Sequence, residues 1–174
     1  MLSDSGVGTL GPTTWADLGC GTGTFTLALA ELLSPDSAIH AIDRDASALR
    51  KIPPAHKGVR ITTHRSDFLE EEWPEWPFET VDGMLMANAL HYVEDQAAFI
   101  RRCEPRMRMP RRFVIVEYDL DEPHRWVPYP VPLAKLTPLF TDAGYASIRA
   151  LGSRPSVHRR APLYAVLIGS ISTT

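Results

Sequence analysis

A chain of 174 residues, 44% hydrophobic and 22% charged, has enough apolar material for one globular domain with a sizeable core. Its net charge of -3 gives no global reason to expect binding to nucleic acid or to an anionic membrane surface. No apolar run approaches the roughly 20 residues that a membrane-spanning helix needs. Cys20 and Cys103 make no disulfide framework, and Met1 to Thr14 lacks the basic and apolar regions of a signal peptide. These features predict a cytoplasmic setting in which thiols stay reduced.

Residues 1–14, rich in Gly, Ser and Thr, read as a loose lead-in to a single domain over residues 15–174. Trp15 to Leu18 reads as the end of a buried strand and Phe25 to Leu33 as an apolar helix, stopped by Ser34-Pro35-Asp36. Between them, Gly19, Gly21 and Gly23 make a turn tight enough to bring backbone against a ligand. The dinucleotide spacing G-x-G-x-x-G fails in either frame, since the third glycine would fall on Thr24 or Thr26. Asp17, two residues before the first glycine, would repel a pyrophosphate at the helix N-terminus but attract a cation. The stretch WADLGCGTGTFTLALAELL resembles motif I of the class I S-adenosylmethionine-dependent methyltransferases. That cofactor carries an ammonium and a sulfonium and no phosphate, which suits Asp17.

Ala38 to Ile42 reads as the second strand, closed by Asp43, which lies 20 residues after Gly23. An acidic residue there can accept hydrogen bonds from both ribose hydroxyls; it can also cap a helix over Ala46 to Lys51, as Asp45 could. Val59 to Thr63 reads as the third strand and Val81 to Met86 as the fourth, leading into Ala87-Asn88-Ala89-Leu90-His91-Tyr92. Glu70 to Pro77 is an acidic, Trp- and Pro-rich loop and Gln96 to Cys103 a helix. By resemblance, Asp67 bonds the adenine amino group, the Phe68 backbone contacts the ring, and Asn88 and Ala89 lie near the methionine part. The whole implied cofactor set is Asp17, Gly19, Cys20, Gly21, Gly23, Thr24, Asp43, Arg44, Asp67, Phe68, Asn88 and Ala89.

Arg101 to Arg112 holds six arginines against one glutamate. Because this run precedes a strand, it falls at the N-terminal edge of a parallel sheet, opposite the ligand edge, and reads as a solvated loop. Phe113 to Val116 is a fully apolar fifth strand that delivers Glu117-Tyr118-Asp119 to the ligand edge. The loop Leu120 to Pro132 carries His124, Arg125, Trp126, Tyr129 and four prolines and suits a pocket wall. Leu133 to Ala143 reads as a helix ended by Gly144, with Tyr145 to Leu151 and Ala161 to Ile168 as the last strands. FVIVEYD, RWVPYP and SRPS (Ser153 to Ser156) resemble a group of small bacterial methyltransferases related to the ubiquinone and menaquinone types.

The resemblance implies an α/β fold, a doubly wound Rossmann-like sheet of seven strands in the order 3-2-1-4-5-7-6. Strand 7 is antiparallel and helices cover both faces. It implies methyl transfer from S-adenosylmethionine to an O, N, S or C nucleophile, with S-adenosylhomocysteine as product. Glu117, His91 and His124 are the candidate bases, and Tyr92, Tyr118, Trp126 and Tyr129 the candidate substrate pocket. The six histidines show no metal-ligand spacing, so no metal is expected. The expected partner is a small-molecule acceptor, not a membrane or nucleic acid, with a homo-oligomer left open. Helices of the kind that usually precede motif I and cover the substrate are not expected within residues 1–14. A cofactor-binding partner subunit of a larger methyltransferase, without chemistry of its own, is the alternative; a nicotinamide oxidoreductase is disfavoured by Asp17 and the glycine spacing.

Overall fold

The computed structural model describes Val7 and residues 11–70, 76–155 and 161–170. Eight strands, β1 (Thr14–Leu18), β2 (Ala38–Asp43), β3 (Ala55–His56), β4 (Val59–Arg65), β5 (Gly83–Ala87), β6 (Arg112–Tyr118), β7 (Ser147–Arg154) and β8 (Leu163–Gly169), form one sheet. Their order is β3-β4-β2-β1-β5-β6-β8-β7. β4, β2, β1, β5 and β6 run parallel, and β8 inserts antiparallel between β6 and β7. Without β3 this is the expected arrangement, so the expected seven strands fall short by one. β3 arises because Lys57 and Gly58 both take positive φ, 51° and 81°, and close a two-residue hairpin onto β4.

Four helices follow the expected places: α1 (Thr24–Ala30), α2 (Ala46–Leu49), α3 (Gln96–Cys103) and α4 (Leu133–Asp142). α1 ends before the expected Leu33 because the Leu32 N–H bonds Leu29 O, tightening the last turn. Leu29 and Ala30 of α1 and Leu49 of α2 pack with Trp15, Ile39, Leu85 and Val114 on one face of the sheet. Phe99 and Ile100 of α3 and Leu136 and Phe140 of α4 pack with Leu18, Met84, Met86 and Ile115 on the other. The alternation along each strand serves both faces, which is why Phe113 to Val116 is apolar throughout and buried. Val7, within the expected loose lead-in, is itself buried against the α1 face.

One close contact sets the spacing of the two central strands. Trp15 on β1 lies level with Gly83 on β5, and a Cβ at Gly83 would stand 2.5 Å from its indole ring. Only a glycine admits the ring, whose Nε1–H donates to Thr13 Oγ1 at 3.1 Å. The parallel strands then end together, gathering the segments after Leu18, Asp43, Arg65, Ala87 and Tyr118 along one edge.

At the opposite edge the arginine run is partly as expected. Arg106 and Arg108 exchange backbone hydrogen bonds with Val81, and the Arg108 guanidinium reaches Asp82 at 3.3 Å. Arg102 departs from that reading and belongs to the site described below. Residues 71–75 of the acidic loop, Ser156 of SRPS, His158 and most of the lead-in lie outside the described residues. No helix among the described residues is long and apolar enough to cross a membrane.

Candidate cofactor site

The glycine turn begins where β1 stops. Gly19 and Cys20 both donate backbone N–H bonds to Ile42 O, at 2.9 and 3.0 Å, which ties the turn to the end of β2. Gly19 takes φ 76°, and a Cβ there would stand 2.9 Å from Ala89 Cβ and 3.1 Å from the Phe68 ring. The absence of a side chain therefore lets three chain segments meet at one point. Cys20 is buried with its thiol toward Gly21 O at 3.8 Å, and burial with two nearby carboxylates pushes its ionisation up.

Asp17 is wholly buried beneath this turn. Thr26 donates its hydroxyl to Oδ2 at 2.5 Å, while Oδ1 has no partner. Burial pushes the carboxyl up to about 7 from 3.8, against the Thr26 bond and with a smaller push from Asp43. A buried carboxyl with one unpartnered oxygen favours positive charge held over the turn that covers it.

Of the two roles expected of Asp43, capping of α2 is not the one it fills. Its Oδ2 accepts the Gly21 N–H and its Oδ1 the Asp45 N–H, both at 2.8 Å. Capping of α2 falls to Asp45, which accepts from Ser47 N and Ala48 N. Asp43 therefore stands at the cleft with both oxygens oriented by backbone.

A cleft of about 170 Å³ opens along the C-terminal edge. It is lined by Gly19, Asp43, Arg44, Asp67, Phe68, Asn88 and Ala89 of the expected cofactor set, with Ser66, Leu69 and Tyr92. Arg44 pairs with Asp67 at 3.5 Å, and Asp67 Oδ1 also accepts the Leu69 N–H at 3.0 Å. Asn88 adopts φ 53°, donates its N–H to Val116 O at 2.8 Å, and leaves a buried Oδ1 without a partner. Asp17, Cys20, Gly21, Gly23 and Thr24 do not line the cleft.

Arg102 was missed in the sequence. Its guanidinium donates to Phe68 O at 2.8 Å and Glu70 O at 3.0 Å, pinning the segment that follows β4 to α3. The helical phase is the signal: Arg102 lies three residues after Phe99, whose ring it covers at 5.1 Å and which meets Phe68 edge-on at 5.9 Å.

The candidate bases are distributed differently from expectation. His91 and Glu117 form one buried unit: Nδ1 and Oε2 are 2.6 Å apart, and the His91 N–H reaches Oε1 at 3.2 Å. His91 Nε2 is buried and unpartnered. Glu117 therefore meets His91 rather than the open cleft. His124, like His91 and Glu117, lines neither this cleft nor the hollow beside it; its Nδ1 accepts the Trp126 N–H at 3.1 Å. Tyr92 and Tyr129 line that adjoining hollow, whereas Tyr118 and Trp126 do not.

Residues 16–108, more than half of the chain, match a methyltransferase domain family, and the chain belongs to that family. The class I S-adenosylmethionine-dependent methyltransferase resemblance of the glycine turn stands with it. Several solved structures share the fold. A 1,6-didemethyltoxoflavin-N1-methyltransferase of Burkholderia thailandensis, with bound 1,6-didemethyltoxoflavin and S-adenosylhomocysteine, is 17% identical with a TM-score of 0.64. The match covers 93% of this chain and 72% of that one. An S-adenosylmethionine-dependent methyltransferase of Mesorhizobium loti is 17% identical at a TM-score of 0.63, covering 92% of both chains. An arsenic(III) S-adenosylmethionine methyltransferase of Chlamydomonas reinhardtii is 13% identical at 0.67, covering 94% of this chain and 64% of that one. No curated protein matches the chain.

Asp17 gives a stability prediction whose sign follows from proton binding. Between pH 3.8 and about 7 the folded chain keeps a proton that the unfolded chain has released. Raising the pH through that window therefore favours unfolding, by on the order of 4 kcal/mol at most. Asp17→Asn, which cannot ionise, is expected to escape that loss. Its urea midpoint should gain on the parent's between pH 5 and pH 8; a constant difference would contradict the assignment.

Proposed function

We propose that this chain transfers the methyl group of S-adenosylmethionine to a small-molecule acceptor. The observation that carries this reading is the unpartnered Oδ1 of buried Asp17 beneath the glycine turn. Asp43 and Asp67 at the cleft extend the fit, offering carboxylates where ribose hydroxyls and an adenine amino group would need acceptors. Bound S-adenosylmethionine supplies a sulfonium methyl that an O, N, S or C nucleophile displaces in line, leaving S-adenosylhomocysteine.

The chain's own residues then have separable tasks. Asp17 balances positive charge at the methionine end. Asp43, fixed by Gly21 N and Asp45 N, orients the ribose, and Arg102 holds the Phe68 segment in place for the adenine. Alignment of the two reactants is the main contribution expected of such a site. Where the acceptor must lose a proton, the buried Nε2 of His91 would have to be uncovered to serve as the base, and Glu117 acts through it by fixing the imidazole at Nδ1.

Asp43→Ala is expected to weaken S-adenosylhomocysteine binding about 10- to 100-fold, from two lost hydroxyl contacts, and to lower the melting temperature modestly, because Gly21 N and Asp45 N lose their acceptor. Calorimetry checks this, and unchanged affinity would remove Asp43 from the ribose role. Glu117→Gln should leave that affinity intact while lowering kcat about 100-fold for an acceptor that needs deprotonation. The loss should shrink as pH rises and the acceptor ionises unaided; a loss equal at all pH values would assign Glu117 a structural role only.

A further inference from the structure

Beside the cofactor cleft lies a larger hollow of about 450 Å³, and the two share Leu69 and Tyr92. Those two residues are among the few large apolar side chains left exposed, at 36% and 41%. One wall is a face of α3 and the residues leading into it, and the other is Tyr129. Tyr129 is held at its N–H by His91 O at 3.0 Å and at its carbonyl by Gln96 Nε2 at 3.0 Å. The wall is thus built onto the same turn that carries the proposed base. At this size the hollow suits a metabolite of one or two rings.

Its polar groups favour one sign of charge. Glu94 and Asp95 supply two carboxylates, Asp95 with one oxygen capping α3 at Ala98 N, and Arg102 is the one cation among the lining residues, leaving a net charge of -1. Arg102 also has two guanidinium nitrogens committed to Phe68 O and Glu70 O. The Glu94 carboxylate lies near enough to the Tyr129 hydroxyl to raise its ionisation. An anionic ligand would face carboxylates with few donors to offset them, whereas a cation finds a carboxylate beside two aromatic faces.

We infer that this hollow is the acceptor site and that it takes a small aromatic molecule bearing a protonated amine. The inference rests on the methyltransferase reading above for its role, but the charge preference belongs to the hollow itself. Leu69 and Tyr92 bring such a ring against the cofactor cleft, and Glu94 holds its amine at the far side.

Tryptamine and indole-3-propionate, which share a ring and differ in the sign of their charge, are the probes. Each is titrated by NMR into the full chain saturated with S-adenosylhomocysteine. Tryptamine is expected to bind at least tenfold more tightly, and Glu94→Gln to remove most of that preference while leaving S-adenosylhomocysteine affinity unchanged. Equal binding of the two probes, preference for the acid, or displacement of S-adenosylhomocysteine by tryptamine would overturn the inference. Failure of S-adenosylhomocysteine to bind at all would overturn the cofactor reading instead, and the same two titrations on the ligand-free chain would still test the charge preference.

Discussion

Asp17 sits at the end of β1 with no exposure to water, one oxygen held by Thr26 and the other without a partner. Keeping a carboxyl there is unfavourable for the folded chain, and burial raises its ionisation to about 7. A positive ligand would reverse that balance, because the ionised form then gains a nearby opposite charge. Much of the surrounding architecture acts to hold this group in position. The glycine turn lies over it, α1 brings Thr26 to it, and the Ile42 carbonyl fixes the turn through two N–H bonds.

The rest of the site follows from strand ends meeting at one edge. At Gly19 a Cβ would collide with both the segment after β4, at Phe68, and the segment after β5, at Ala89, so the three pack together only because it is glycine. Those contacts make the cleft a single unit rather than a set of independent loops. Arg102 extends it to α3, and Tyr129 joins the long loop to the His91 turn. The cofactor cleft and the adjoining hollow therefore share Leu69 and Tyr92 as a common wall.

Local chemistry made part of this legible in the sequence. Three glycines after an aspartate mark a turn with no room for phosphate-binding logic, and the 20-residue interval to Asp43 marks the next strand end. Fully apolar Phe113 to Val116 declared a central strand, and the strand order followed from the family resemblance. Pairings between distant positions were not legible. Nothing near Gly83 announces the indole of Trp15, and nothing near Glu117 announces His91, 26 residues away. Arg102 was hidden among its neighbours, since a charge count treats six arginines alike while the helix turns only one of them toward Phe68. The short β3 escaped because its signal is a Lys-Gly turn with backbone conformations that composition does not reveal.

Calorimetry of S-adenosylmethionine binding at pH 6, repeated in buffers of different ionisation heat, tests the central claim most directly. With its ionisation raised to about 7, Asp17 holds its proton for the most part in the free chain, and positive charge bound over the turn favours the ionised form, so one-to-one binding with release of a proton is predicted. Absence of binding, or binding without proton release, would contradict the account.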